Sequence, residues 1–147
     1  MYGTIVVGTD GSETAQRAVA EAVRLAKALG DTIELVGAYE PLRGARIAGA
    51  PEAAAKVWDI KPDSAVQSVI EHAAAAIRLG GVEVAVHAVT GDPADALLEV
   101  AERKHAGLIV VGNRGMHGMT RVLGSVPNKI SHRANCSVLI VSTHVAQ

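Results

Sequence analysis

Short β-branched runs alternate with stretches of helical apolar spacing along the whole chain, and this alternation restricts the fold more than any other feature. The extended runs are Thr4 to Val7, Thr32 to Tyr39, Val82 to Val89, Leu108 to Gly112 and Ser137 to Ser142. Between them, helical patterns begin near Ser12, at Asp63 or Ser64, at Asp92-Pro93 and at Ser125. The order β-α-β-α-β-α-β-α-β implies right-handed crossovers. The expected fold is α/β: a single-domain, doubly wound, five-stranded and mostly parallel sheet with helices on both faces, Rossmann-like in its winding. In such sheets ligands sit outside the carboxyl ends of the strands, where the winding direction reverses.

Local signals support each helix. Ser12 opens the first, Ala18, Val19, Ala22, Val23, Ala26 and Leu29 form its apolar stripe, and Gly30 stops it; Glu13/Arg17 and Arg17/Glu21 have the spacing of i,i+4 pairs. The second places Val66, Ile70, Ala73 and Ile77 on one face and ends at Gly80-Gly81. The third carries Ala96, Leu97, Val100 and Ala101 inward, with Glu102, Arg103 and Lys104 outside. The run from Val82 alternates, which fits an edge strand with one wet side.

With 147 residues the chain is one ordinary domain, 1–147, with a core of Ala, Val, Leu and Ile because aromatics are 2% and Phe is absent. A net charge of −1 gives no broad field for a nucleic-acid backbone, so DNA and RNA are not expected as partners. No apolar run reaches the length of a membrane span, and the amino terminus enters a strand directly; a cytoplasmic protein is expected. The single cysteine, Cys136, precedes an apolar strand and reads as a buried structural thiol. The connection from 41 to 61 is long for a compact domain, which makes it a candidate lid; its PEAAAKVWDI stretch has the composition of a short helix.

Chemistry concentrates in 108–137. A strand buried on both faces, LIVVG, runs into a loop with Gly112, Gly115, Gly118 and Gly124, where backbone amides can turn toward an anion without a Cβ in the way. Ser125 then stands as a cap, Pro127 suits the first helical turn, and Val126, Ile130 and Ala134 follow at helical spacing. Strand, glycine loop and helix start form a phosphate-binding arrangement, with the Ser125 hydroxyl as one more donor; a plain βα connection is the alternative. After the first strand, Thr9-Asp10-Gly11-Ser12 faces the same crevice if the two strands are neighbours. Asp10 can there accept from a ribose or hold a divalent cation through water, or serve only as a turn residue.

Three stretches, VVGTDGSETA, GDPADALLEVAE and VVGNRGMHGMTRVLGSVPNKISHRANCSVLIV, resemble the universal stress proteins of the UspA-like family over essentially the full chain. The resemblance implies an adenine nucleotide alpha hydrolase-like fold and a nucleotide site. Carried over by position, Asp10 with Thr9 lies on the ribose or metal side and the backbone near Ala38 meets adenine. Gly112, Asn113, Arg114, Gly115, Gly124, Ser125 and Val126 then surround the phosphates. The ATP-binding branch carries Gly-x-x-Gly, a spacer and Gly-Ser or Gly-Thr; here Gly112-x-x-Gly115 and Gly124-Ser125 match across a spacer of eight residues, one fewer than in the family. The resemblance further implies ATP with Mg²⁺ as ligand, with AMP or cyclic AMP as alternatives, and a homodimer that pairs through the last strand.

Slow or absent ATP hydrolysis is expected. Phosphoryl transfer needs a metal, an oriented nucleophile and charge stabilisation, and only the first has a candidate. There is no Walker Gly-Lys-Ser/Thr; Arg114, His117, Arg121 and Lys129 are the cations within reach, and the six histidines show no metal-ligand spacing. The rival readings are a nucleotide-free dimer acting through protein contacts and a flavodoxin-like FMN carrier. Against the carrier stand Asp10, which would repel a flavin phosphate, and an aromatic content of Tyr2, Tyr39 and Trp58.

Overall fold

The computed structural model describes residues 1–39, 64–113 and 124–142. The strands are β1 (Thr4–Gly8), β2 (Thr32–Tyr39), β3 (Val84–Thr90), β4 (Leu108–Gly112) and β5 (Ser137–Val141). The helices are α1 (Glu13–Leu29), α2 (Ser64–Leu79), α3 (Pro93–Arg103) and α4 (Ser125–Arg133). The sheet order is β3-β2-β1-β4-β5, and all four pairings are parallel. The expected architecture therefore holds, with a wholly parallel sheet. Winding reverses between β1 and β4, where Val6 stands opposite Ile109.

Parity along the central strands explains both cores. Ile5, Val7, Leu108 and Val110 face one side with Ala18, Ala22 and Ala26 of α1 and Ile70, Ala74 and Ile77 of α2. Val6, Ile109 and Val111 face the other, with Leu97 and Val100 of α3 and Ile130 of α4. Each fully buried Val or Ile contributes roughly 1.5–3 kcal/mol of burial free energy, so β1 and β4 have no polar face to give up. The alanine stripe lets α1 approach β4 closely, and Gly112 takes this further: a Cβ there would lie 2.5 Å from Thr14 Cγ2 and 3.2 Å from the Thr14 carbonyl oxygen.

Boundaries differ from the sequence reading by a residue or two at several ends. Gly81 turns the chain with φ +84°, so Val82, although buried, precedes the ladder and β3 starts at Val84. The last strand ends at Val141, not Ser142. Most relevant to function, Ser125 is the first residue of α4 and not its cap. Gly124 holds the cap position with φ −59° and ψ 160°. The edge assignment of β3 holds, with β5 at the opposite edge. Glu13 and Arg17 pair at 3.2 Å, while the Glu21 carboxylate meets Arg24. The 41–61 connection and its short helix lie outside the described residues.

Candidate nucleotide cleft

Because β1 and β4 are neighbours, the turn after β1, the end of β4 and the starts of α1 and α4 converge on one crevice at the carboxyl end of the sheet. Its volume is about 350 Å³. Ligand sites in open parallel sheets lie at this position. Its floor is Gly8, Val36, Ala38 and Val111 from the strands, and one apolar wall is Pro93 and Leu97 from α3. Thr9, Asp10, Ala38, Gly112, Gly124, Ser125 and Val126, all anticipated from sequence, line it. Asn113 is buried at the end of β4, its amide donating to the Val141 carbonyl at 3.1 Å, and stands beside the lining, not in it. Arg114 and Gly115 lie outside the described residues.

The two helix starts differ. At α1, Ser12 Oγ accepts from the Ala15 amide at 3.2 Å, closing that end with a side chain. At α4, Gly124 has no side chain to cap with and Pro127 has no N–H, so the amides of Ser125 and Val126 are the donors that this end presents along its axis. Those two amides and the positive end of the helix dipole suit an anionic oxygen.

Asp10 sits across the cleft. Its Oδ1 accepts from the Ser12 amide at 2.9 Å, so it does make the turn anticipated as its simpler role. The side chain nevertheless remains at the exposed surface lining the cleft. Thr9 is buried; its amide donates to the Val36 carbonyl at 2.9 Å and its Oγ1 accepts from the Gly11 amide at 3.3 Å. Among the described residues no group of three or more metal-ligating side chains occurs. A magnesium ion coordinated mainly by phosphates and water needs only one or two carboxylates, and Asp10 fits that demand.

Gly112 lines the cleft and also has a packing role that its sequence context did not suggest. The Thr14 contact shows that its missing Cβ admits α1 to β4, so this glycine answers to helix packing, against a residue that itself lines the cleft. Lys129, one of the cations proposed for phosphate, has its ammonium 3.2 Å from Asp92 Oδ2 and 2.8 Å from Asp95 Oδ1. Arg114, His117 and Arg121 lie outside the described residues. Sequence reasoning did not place Pro93, Leu97, Thr14 or Ala15 in the site; the available signal was the crossover itself, since helices flanking a switch point must wall it.

Cys136 is half-buried against the second core, and burial pushes its thiol above the usual range, as befits a structural cysteine. A second hollow, near 560 Å³, lies between the carboxyl ends of α3 and α4 and is rimmed by Glu102, His105 and Arg133. It opens at the opposite end of the strands from the crevice. Among the described residues no helix is long and apolar enough to cross a membrane.

Comparison with known proteins accords with this geometry. Residues 1–142 match the family model described as the universal stress protein family. Universal stress protein Rv1636 of Mycobacterium tuberculosis is 38% identical over 146 residues, covering 97% of each chain. Universal stress protein MJ0531 of Methanocaldococcus jannaschii is 31% identical, covering 96% of this chain and 82% of its own. A crystal structure of a universal stress protein in complex with cAMP superimposes with a TM-score of 0.74 at 32% identity, covering 97% of this chain and 98% of that one. With the family model matching residues 1–142 and so spanning both halves of the crevice, the chain belongs to the universal stress protein family.

Proposed function

We propose that the crevice binds an adenine nucleotide and that its occupancy, not turnover, is the output of the protein. The observation that carries this reading is the asymmetry of the two helix starts: a side-chain-capped α1 beside Asp10, and opposite it α4 with no side-chain cap at Gly124. The phosphate lies at Ser125 and Val126, the ribose hydroxyls face Asp10, and the base rests on the apolar floor near Ala38 and Leu97. Cyclic AMP is the favoured ligand. The cAMP-bound structure covers 97% of this chain at 32% identity, and one short helix start suits a single phosphate.

ATP with Mg²⁺ is the second reading, supported by the Gly112-x-x-Gly115 and Gly124-Ser125 spacing and by the Asp10 carboxylate. When bound, the metal would screen phosphate charge, with Asp10 holding it through water. Two copies pair through β5, an edge strand whose Val138, Leu139, Ile140 and Val141 are each only partly buried.

Denaturing the purified protein, identifying released small molecules by mass spectrometry, and titrating the stripped protein with cyclic AMP, AMP and ATP with and without Mg²⁺ tests the reading. Micromolar binding of any of these supports it, and their order identifies the ligand. No released nucleotide and no binding would move the function to protein contacts alone.

A further inference from the structure

Lys129 lies one helical turn after Ser125 on α4, and helical side chains lean back toward the amino end. A lysine there is placed to reach an anion at the α4 start. In this chain the reach is taken up by acids of the facing helix. Lys129 Nζ stands 3.2 Å from Asp92 Oδ2 and 2.8 Å from Asp95 Oδ1, and Arg133 Nη1 also meets Asp95 Oδ1 at 3.1 Å.

Asp92 immediately precedes the cleft-lining Pro93 and caps α3, accepting from the Asp95 amide at 3.1 Å through the same Oδ2 that holds Lys129. Asp92 is therefore fixed beside the cleft by the helix start itself, with Asp95 in the first turn of α3. The hydrogen bond from Lys129 to Asp95, followed by that to Asp92, raises the lysine pKa. The Asp95 amide bond and Lys129 lower that of Asp92, so both groups stay charged at neutral pH.

We propose that Asp92 and Asp95 are specificity-determining residues of the cleft: by holding Lys129 and keeping carboxylates at its edge, they select a singly charged phosphodiester over a polyphosphate. This rests on the adenine-nucleotide reading above and deepens it. A cyclic phosphodiester carries one negative charge and is satisfied by the α4 amides. A metal-free triphosphate carries about four, needs the lysine, and meets two acids that compete for it. An acid at roughly 10 Å across water costs about 0.4 kcal/mol per unit of ligand charge, near twofold in affinity.

The test compares Kd for cyclic AMP and for metal-free ATP in the parent protein, Asp95→Asn, and Asp95→Asn with Lys129→Met. Asp95 does not cap α3, and its change to Asn keeps the side-chain shape, so the fold is preserved. Expected for Asp95→Asn is ATP binding tighter by about tenfold and cyclic AMP changed by less than about twofold. The gain should shrink at high salt and fall when Lys129 is also replaced, leaving only the part due to the acid's own repulsion. Equal changes for both nucleotides, or an unchanged ratio, would overturn the proposal, as would a gain that loss of Lys129 leaves undiminished. No binding by the parent or either variant would instead remove the nucleotide reading itself, and this proposal with it.

Discussion

Replacing Gly112 by Ala separates packing from ligand binding at the residue where the two were hardest to tell apart. The backbone does not demand glycine, since Gly112 is not among the residues with positive φ. The added Cβ would lie 2.5 Å from Thr14 Cγ2 and 3.2 Å from the Thr14 carbonyl oxygen. The methyl can leave only by forcing a β-branched side chain off its preferred rotamer, and the carbonyl is fixed in the first turn of α1. Overpacking of this kind costs about 1–3 kcal/mol, and with a backbone atom involved about 2 kcal/mol is expected. For a chain of this size that lowers Tm by roughly 4–8 °C, at about 2–4 °C per kcal/mol. Thermal unfolding followed by circular dichroism gives the shift, and nucleotide titration below the transition gives affinity. Adding Thr14→Ser removes the nearer atom and should recover about half of the loss, because the carbonyl contact remains. If Gly112→Ala melts with the parent while nucleotide binding is lost, this glycine serves the ligand and the packing argument is wrong.

Gly124→Val should keep the fold, since φ −59° and ψ 160° suit any residue, yet weaken nucleotide binding at least about tenfold by filling the α4 start, about 1.4 kcal/mol; titration and a melting curve on the same sample check both halves. Asp10→Asn retains an oxygen for the Ser12 amide and removes the charge; ATP affinity should fall more with Mg²⁺ than without it, and equal losses by calorimetry would assign Asp10 to the ribose alone. Asp31 is buried, and the Met1 ammonium first, then the Tyr2 and Gly3 amides, hold its pKa below the usual value against the opposing effect of burial. Its stabilising effect is therefore complete above the unfolded-state value near pH 3.9 and disappears as pH falls through the folded-state value. The stability gap between parent and Asp31→Asn should be wide at pH 7 and narrow at pH 3, as read by denaturant unfolding.

The order of elements was legible because β1 and β4 lack a polar residue at any position that the sheet buries. Continuous apolar runs separated by helical stripes leave few arrangements other than a parallel, two-faced sheet. Helix starts were legible where a side chain makes the cap, as Ser12 and Asp92 do. At α4 the same pattern misled by one position: Ser-Val-Pro reads as cap, N1, N2, but Gly124 takes the extended cap conformation and moves Ser125 into the helix. Glycine composition could not separate Gly112 from Gly124, because both line the cleft and only Gly112 also answers to Thr14, a contact distant in sequence. The Lys129 clamp was illegible for the same reason, since its acids lie more than thirty residues away.

The polarity of the proposed nucleotide follows from charge placement alone. Two helix starts face the switch point, and a phosphate has to choose between them. Near α1 it would approach the Asp10 carboxylate and a helix end whose Ala15 amide is already bound by Ser12. Near α4 it finds the Ser125 and Val126 amides at an end with no side-chain cap, but also, one turn further, a lysine neutralised by Asp92 and Asp95. Among the described residues the site thus offers directional dipoles with little net positive charge. Dipoles of that kind hold one phosphate well and add little for each further charge, whereas a Walker-type lysine would reward every one. A protein built to sense a singly charged nucleotide in the presence of abundant polyphosphates needs this arrangement, and a bare lysine at the α4 start would defeat it.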